Sequence, residues 1–382
     1  VVDSFFESMS GITTTGATVI AGLDDLPKSL LIYRQLLQWL GGMGLIVLAI
    51  AVMPLLGIGG GQLFKTQTPG PMSEQRLTPR ITSTARALWS IYFVLTVLCI
   101  FAYRLAGMSY FDAVSHAFST VSIGGFSTHD LSIGFFDSLS IEIVCITFML
   151  LSAMSFAVHY SAIYRKQVLK YFYDPELRFF VSLLIVILGL VCLSLFANDI
   201  DDPIRSGLFQ TVSILTTTGF LTDEYSSWPT YISFMLLVGA FVGACSGSVG
   251  GGIKSWRILI MLKHANKQIF KIIHPDSVNT IKLGKKVVDS NVSEAVWGFF
   301  SIYIISFMVL FLLVLATGLD FISAFSAVGA CLNNLGPGLG EISSNYANIP
   351  STTKLLLSFA MILGRLEIFT FLVVLMPAFW RR

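Results

Sequence analysis

The 382 residues carry 24 Lys and Arg against 22 Asp and Glu, a formal net charge of +2, yet only 12% are charged while 54% are hydrophobic. A soluble domain carries about 25% charged residues, so a water-soluble globular protein is excluded, and the long continuous apolar runs exclude a transmembrane β-barrel. The expected surroundings are a lipid bilayer, and no nucleic-acid partner is expected.

In chain order, the sequence opens on a short apolar stretch that runs into Thr13-Thr14-Thr15-Gly16. No signal peptide precedes it, and Val1-Val2-Asp3 already falls inside a pore-helix-like segment. The expectation is therefore a fragment whose upstream membrane helices, including the first outer helix, are missing. Seven stretches then reach the ~20 mostly apolar residues that a bilayer core requires: 30–56, 87–105, 138–163, 179–197, 231–261, 295–317 and 355–379. Between them lie three more short segments ending in glycine: Ser122-Ile123-Gly124-Gly125, Thr216-Thr217-Thr218-Gly219 and Asn333-Asn334-Leu335-Gly336.

Alternating the seven spans across the bilayer puts all four glycine-ended segments on one face. That face carries Lys28, Arg34, Arg104, Arg205 and Lys354 as its basic residues, against many acids including Asp24, Asp25, Asp199, Asp201, Asp202, Asp223 and Glu224. Most other Lys and Arg gather in 65–86, 165–178, 254–286 and 381–382. The positive-inside rule makes those basic loops cytoplasmic. The acidic outer face attracts cations and repels anions.

Registered on their final glycines, the four segments and the stretches before them align without gaps, from Asp3, Asp112, Ser206 and Ser323. Asp or Ser at each start suits an N-cap, and about three turns of helix follow. Such a helix is too short to cross a bilayer, so it must enter and return. Non-helical backbone at membrane depth is tolerated where it lines a water-filled path. There its carbonyls can replace an ion's hydration shell, with glycine permitting the backbone angles and the helix C-terminus turned to the cation. One Thr-Thr-Thr-Gly alone would read as an ordinary surface turn; four in register read as a pore. The predicted fold is an all-α membrane protein of four helix–pore-loop–helix repeats around one ion pathway, divided as 1–56, 57–163, 164–263 (with an interrupted inner helix) and 264–382.

On Thr14-Thr15-Gly16, Ser122 to Thr128, Thr216 to Phe220 and Asn333 to Gly338, the chain resembles the membrane subunit of Trk-type potassium uptake systems, within the Trk/Ktr/HKT superfamily. The resemblance covers nearly the whole chain. It implies a bacterial inner-membrane homodimer with one pore per protomer, its filter mouth periplasmic, passing K⁺ and Rb⁺ and largely rejecting Na⁺. The filter would comprise Thr13 to Gly16, Ser122 to Gly125, Thr216 to Gly219 and Asn333 to Gly336, and hold the transported K⁺ as its sole metal. Some family members have Ser at the first glycine and pass Na⁺; Gly16 favours K⁺. Gly124 and Leu335 depart from the Thr found at the matching positions 15 and 218, so looser selectivity than in a symmetric channel is expected.

The span 231–261 is interrupted by Gly243, Ser246, Gly247, Ser248, Gly250, Gly251 and Gly252, ahead of Lys254. Each glycine costs a helix about 1 kcal/mol relative to Ala. Ile253 separates the glycines from Lys254-Ser255, which spoils a nucleotide-binding P-loop. A close-packed glycine face is a second reading; the third, which the resemblance supports, is a flexible gating loop under the filter. Arg365 lies inside the last span, where a charge is costly and by default functional. One reading is an ion pair with Glu367, or a backbone carbonyl that satisfies the guanidinium between helices, although Glu367, two residues on, is off its helical face. The resemblance places Arg365 in the pore beside the glycine loop, as a barrier to K⁺.

Cys99, Cys145, Cys192, Cys245 and Cys331 have no metal-ligand spacing and read as reduced packing residues. His116, His159, His264 and His274 form no metal motif; His116 reads as a hydrogen-bonding residue in a pore helix and His129 as a solvated loop residue. Ser246 with His159 would make an intramembrane hydrolase pair, but the spacing around Ser246 does not match a nucleophile elbow. The basic stretch 254–286 is either a cytoplasmic anchor or, as the resemblance implies, the dock for a cytosolic nucleotide-binding regulatory subunit. No cofactor bound by this chain and no enzymatic chemistry are expected. Alternatives are a Na⁺-permeable or Na⁺/H⁺-coupled carrier and, from another class, the hydrolase.

Overall fold

The computed structural model describes residues 1–52, 81–277, 279–284 and 286–375. The tail of the first span, most of the basic stretch 65–86 and Arg381-Arg382 lie outside the described residues. Helices dominate. The first unit, as it stands in this sequence, has a short helix α1 (Val2–Ile12) and a long inner helix α2 (Lys28–Val52). The second has α3 (Ile81–Leu105), short α4 (Tyr110–Val121), and an inner helix in two pieces, α5 (Leu139–Ala153) and α6 (Phe156–Tyr164). After the single turn α7 (Lys170–Tyr173) come α8 (Pro175–Ala197), short α9 (Pro203–Leu215), α10 (Thr230–Val242) and α11 (Ser255–Ile273). A two-strand antiparallel hairpin, β1 (Lys282–Leu283) with β2 (Lys286–Val287), precedes α12 (Ser290–Leu315), short α13 (Phe321–Leu332), α14 (Ser351–Arg365) and α15 (Ile368–Leu375).

The short helices have 11, 12, 13 and 12 residues, at 1.5 Å per residue under two-thirds of a bilayer core. Their starts differ from the sequence expectation. The registered Asp3, Asp112, Ser206 and Ser323 lie inside the helices. The N-caps with side-chain bonds are Ser109, accepting from the Asp112 N–H, and Asp320, accepting from Ile322 and Ser323. Each inner helix packs on the short helix of the next unit: α2 on α4, α5 on α9, α10 on α13 and α14 on α1. That rotation closes a ring from four consecutive units.

Two further spans expected to be continuous are broken. The second inner helix bends by 93° between α5 and α6. The fourth is interrupted at Leu366-Glu367, where Glu367 is left-handed with φ 55°. Neither break carries a run of glycines, Gly364 alone standing near the second, so a hydropathy reading passes over them. Among the described residues, α8, α12 and 86–105 are long and apolar enough to cross a membrane, and the bent pair makes a fourth. Their apolar side chains point outward as well as inward: Phe93, Phe101, Ile185, Leu193, Ile305 and Leu312 are all exposed, as a lipid solvent requires. One buried apolar cluster joins units two and three, and a second joins units four and one, with Phe241 and Phe325 touching both.

Candidate selectivity filter and gate

The four glycine-ended segments adopt one conformation. At each first position (Thr13, Ser122, Thr216, Asn333) the backbone is right-handed, with φ from −90° to −75°. At each second position it turns left-handed, with φ 54° at Thr14, 52° at Ile123, 61° at Thr217 and 52° at Asn334. The closing glycines are left-handed again, at 84°, 79°, 82° and 95°. The second-position N–H bonds to the carbonyl three residues back and the third-position N–H to the one five back: Thr14 to Gly11 and Thr15 to Ser10, then Ile123 to Thr120 and Gly124 to Ser119. Thr217, Thr218, Asn334 and Leu335 repeat the pattern. This is a Schellman helix ending, normally built on glycine. Here β-branched Thr14, Ile123 and Thr217 occupy the left-handed position in three units, a strain on the order of 1–3 kcal/mol each, while unit four has Asn334, which tolerates it.

The ring closes through the glycines. A Cβ added to Gly16 would sit 2.3 Å from the Gly124 carbonyl oxygen, one on Gly125 2.1 Å from that of Thr218, and one on Gly219 2.1 Å from that of Leu335. One on Gly336 would sit 2.5 Å from the Thr15 carbonyl oxygen. Each glycine Cα therefore abuts the third-position carbonyl of a neighbouring unit, in the cyclic order one, two, three, four, one. Backbone so arranged can present carbonyls to a common axis.

Side chains hold the strands differently in each unit. In units one and three the hydroxyls of Thr13 and Thr15 pair at 2.8 Å and those of Thr216 and Thr218 at 2.7 Å. In unit four Asn333 bonds Tyr303 Oη and the Gly329 carbonyl, and Asn334 Nδ2 reaches Thr15 Oγ1 and the Met361 carbonyl at 3.0 Å. In unit two Gln38 of α2 holds the strand. The outer arm after each filter strand is tied back to its short helix: Glu7 accepts from Thr18 Oγ1 and the Val19 N–H, His116 Nε2 pairs with Ser127 Oγ, and Gln210 donates to the Asp223 carbonyl.

Two outer residues are corrected. Arg34, counted with the outer-face charges, is buried, donating to Glu7 at 2.8 Å and lying over the Phe126 ring. His129 is no freely solvated loop residue: it pairs with Asp24, stacks on Phe135, and has Nε2 3.6 Å from Asp112. The His129 ring beside Asp24 holds that carboxyl below its usual range.

Residues 243–254 connect α10 to α11 as non-helical backbone directly against the filter. The Gly251 N–H donates to Thr217 Oγ1 at 2.7 Å, and a Cβ on Gly251 would lie 1.9 Å from the Asn333 carbonyl oxygen. Charged side chains from separate elements hold this loop by its backbone. The Ser246 N–H donates to Glu176 of α8, and Lys254 Nζ donates to the Gly250 carbonyl. Arg365 donates to the Val249 carbonyl at 2.7 Å and to the Gly41 and Gly42 carbonyls at 3.0 Å. It thereby bridges the glycine loop to the first inner helix. Glu367 pairs with Arg257 at 2.5 Å, so it is not the partner of Arg365. Gly243 accepts from Ser255 Oγ, and Gly247 accepts from the Phe156 N–H at the second inner-helix break.

All expected filter and loop residues thus meet in one place. Ser246 and His159 form no hydrogen bond among the described residues: His159 spends its ring nitrogens on Tyr171 Oη and the Leu151 carbonyl. The five cysteines are free thiols. Sequence reasoning missed Glu176, whose only signal was a lone acid at the start of an apolar span, and Gln38, one of two glutamines in a span otherwise read as apolar.

Short re-entrant helices, a closed ring of filter strands and a broken-helix loop beneath it define the class: a helical membrane protein of the pore-loop type. The TrkH family profile, described as "Cation transport protein", matches residues 1–382. The Trk system potassium uptake protein TrkH of Halomonas elongata is 52% identical over 383 residues, covering 100% of this chain and 80% of the relative. The protein of the same description from Escherichia coli K12 is 46% identical over 385 residues, with coverage of 100% and 80%. The crystal structure of the potassium transporter TrkH from Vibrio parahaemolyticus superimposes with TM-score 0.88 at 48% identity, covering 100% of this chain and 79% of that one. The chain belongs to the TrkH family of cation transport proteins.

Proposed function

We propose that this protein takes up potassium across a bacterial inner membrane through a K⁺- and Rb⁺-selective pore. The observation that carries the proposal is the ring of contacts from Gly16 to Gly124, Gly125 to Thr218, Gly219 to Leu335 and Gly336 to Thr15. Four units, bounded near 56, 163 and 263, each contribute one strand, and the strand carbonyls replace the water around a dehydrated cation. The ends of α1, α4, α9 and α13 carry the partial negative charge of their helix dipoles toward the same point. Excess acid on the outer, periplasmic side concentrates cations there.

The glycine loop is the gate and Arg365 its latch. With its guanidinium on Val249, Gly41 and Gly42, Arg365 holds the loop under the filter and puts a positive charge on the path below it. Opening needs the loop to leave that position. Helix α11, which begins one residue after Lys254 and carries Lys263, Lys267 and Lys271, is the lever by which a cytosolic nucleotide-binding subunit would move it. The working assembly is a homodimer with one pore in each protomer, and K⁺ is cargo, so the chain itself needs no cofactor.

The test is ⁸⁶Rb⁺ uptake into K⁺-loaded proteoliposomes containing the full-length protein, with external K⁺, Na⁺ or Li⁺ as competitor. Competition by K⁺ but not by Na⁺ or Li⁺ is the expected result. Equal competition by Na⁺ would overturn K⁺ selectivity in favour of a Na⁺-permeable carrier.

A further inference from the structure

Gly124 breaks the filter pattern, and the structure supplies a reason from outside the filter. Units one and three have threonine at the matching position, Thr15 and Thr218, each hydroxyl-paired within its own strand. A Cβ on Gly124 would lie 2.4 to 2.8 Å from three atoms of the Gln38 amide. That amide is fully buried; its Nε2 donates to the Gly124 carbonyl at 2.6 Å and its Oε1 accepts from the Phe126 N–H at 3.1 Å. The Gly124 carbonyl is the same one that abuts Gly16. Gln38 thus spans the closing glycine Gly125, gripping the backbone on either side of it.

We propose that Gln38 is a positioning residue for selectivity, supplying from the first inner helix the restraint that a threonine hydroxyl supplies in units one and three. This rests on the filter reading above. An amide that donates to one carbonyl and accepts from one N–H two residues on fixes both the orientation of that carbonyl and the length of strand between them. With Gln38 removed, the Gly124 carbonyl is free to swing away from the ring, because glycine has no side chain to restrain it. A ring with one mobile carbonyl adapts to a smaller ion and loses discrimination before it loses conduction.

The test compares K⁺ and Na⁺ competition against ⁸⁶Rb⁺ uptake for the unaltered protein, Gln38→Met, Gln38→Ala and the double variant Gln38→Ala/Gly124→Thr, at equal protein per vesicle. Methionine keeps the volume of glutamine and neither hydrogen bond; a buried hydrogen bond corresponds to roughly a fivefold effect on an equilibrium. Gln38→Met is expected to lower K⁺-over-Na⁺ discrimination by about that factor or more while Rb⁺ uptake persists. In the double variant, the space left by the amide admits a threonine side chain able to pair with Ser122 as Thr15 does with Thr13. That variant is expected to discriminate better than Gln38→Ala alone, which a packing role for Gln38 does not predict. Unchanged discrimination in Gln38→Met, or no gain in the double variant over Gln38→Ala, overturns this inference with the pore intact. Absence of K⁺ discrimination in the unaltered protein overturns the filter reading and this inference with it.

Discussion

The filter strands and the glycine loop touch one another, yet they are held by different means. Each strand is the continuation of a short helix, fixed by two backbone bonds reaching three and five residues back. Its restraints come mostly from within about ten residues of chain. The loop's backbone bonds run mainly to other segments, with the Cys245 N–H on the Ala153 carbonyl, the Phe156 N–H on the Gly247 carbonyl and the Ile253 N–H on the Phe241 carbonyl. Its backbone is gripped by Glu176, Lys254 and Arg365, two of them from other helices, and by Thr217 of the filter itself. A locally capped strand loses its shape only by unravelling a helix end. A loop held by side chains and backbone of other elements shifts when those elements move, and its buried Ala244, Cys245 and Val249 must then find new cover. Under the proposed function, these two kinds of restraint give rigidity where ions are chosen and releasability where flow is switched.

The largest effect that tests the contrast is at the rigid end. Gly125→Ala adds a Cβ 2.1 Å from the Thr218 carbonyl at φ 79°, a clash of backbone against backbone that no rotamer relieves. Selective Rb⁺ uptake is expected to fall by about a hundredfold, since a few kcal/mol of misplacement at the ring is tenfold in rate per 1.4 kcal/mol. Uptake at the original level with unaltered K⁺ preference would remove the ring as the selective element.

Next comes the loop. Arg365→Ala deletes three hydrogen bonds from a charged donor, each worth about 1.5–3 kcal/mol, and with them a positive charge on the path. Flux is expected to rise about tenfold or more at equal protein density, with the K⁺/Na⁺ preference kept. A loss of preference without a gain in flux would mean that Arg365 serves the filter and not the loop, and the comparison would fail there.

The smallest effect lies at the outer mouth, away from both regions. The Asp24 carboxyl is held below its ordinary 3.8 by the His129 ring, so the tie stabilises the outer loops fully above that ordinary value. It is lost as the pH falls through the lowered folded value. Amide exchange at Gly22 and Leu23, whose N–H groups bond Asp130, should quicken over that acid range. Asp24→Asn should remove the pH-dependent part and leave Rb⁺ selectivity unchanged.

Much of this architecture was legible before any coordinates. The four glycine-ended segments align by counting, because glycine at a left-handed position and threonine beside it are local requirements. The glycine loop reads as a break because glycine cannot sustain a helix there. The two other inner-helix breaks, at Met154-Ser155 and Leu366-Glu367, were not legible, since the first lies in a mostly apolar run and the second has only the single Gly364 nearby, which a helix tolerates. The N-caps fall two to four residues before the expected positions, at Val1, Ser109, Asp202 and Asp320, because in the last three units a second Asp or Ser lies just upstream. His129 looked solvated because its partners, Asp24 and Phe135, are supplied by separate loops.

Composition and spacing by themselves determined the membrane setting and the four glycine-ended segments that share one backbone conformation, all properties of hydropathy and of backbone angles over a few residues. Only the tertiary structure decided which carbonyl meets which glycine, that Arg365 bridges Val249 to Gly41 and Gly42, and that Gln38 grips the backbone at Gly124 and Phe126. The residues in those contacts lie far apart in the chain. No local preference records such a pairing, and it exists only when four units close on one another.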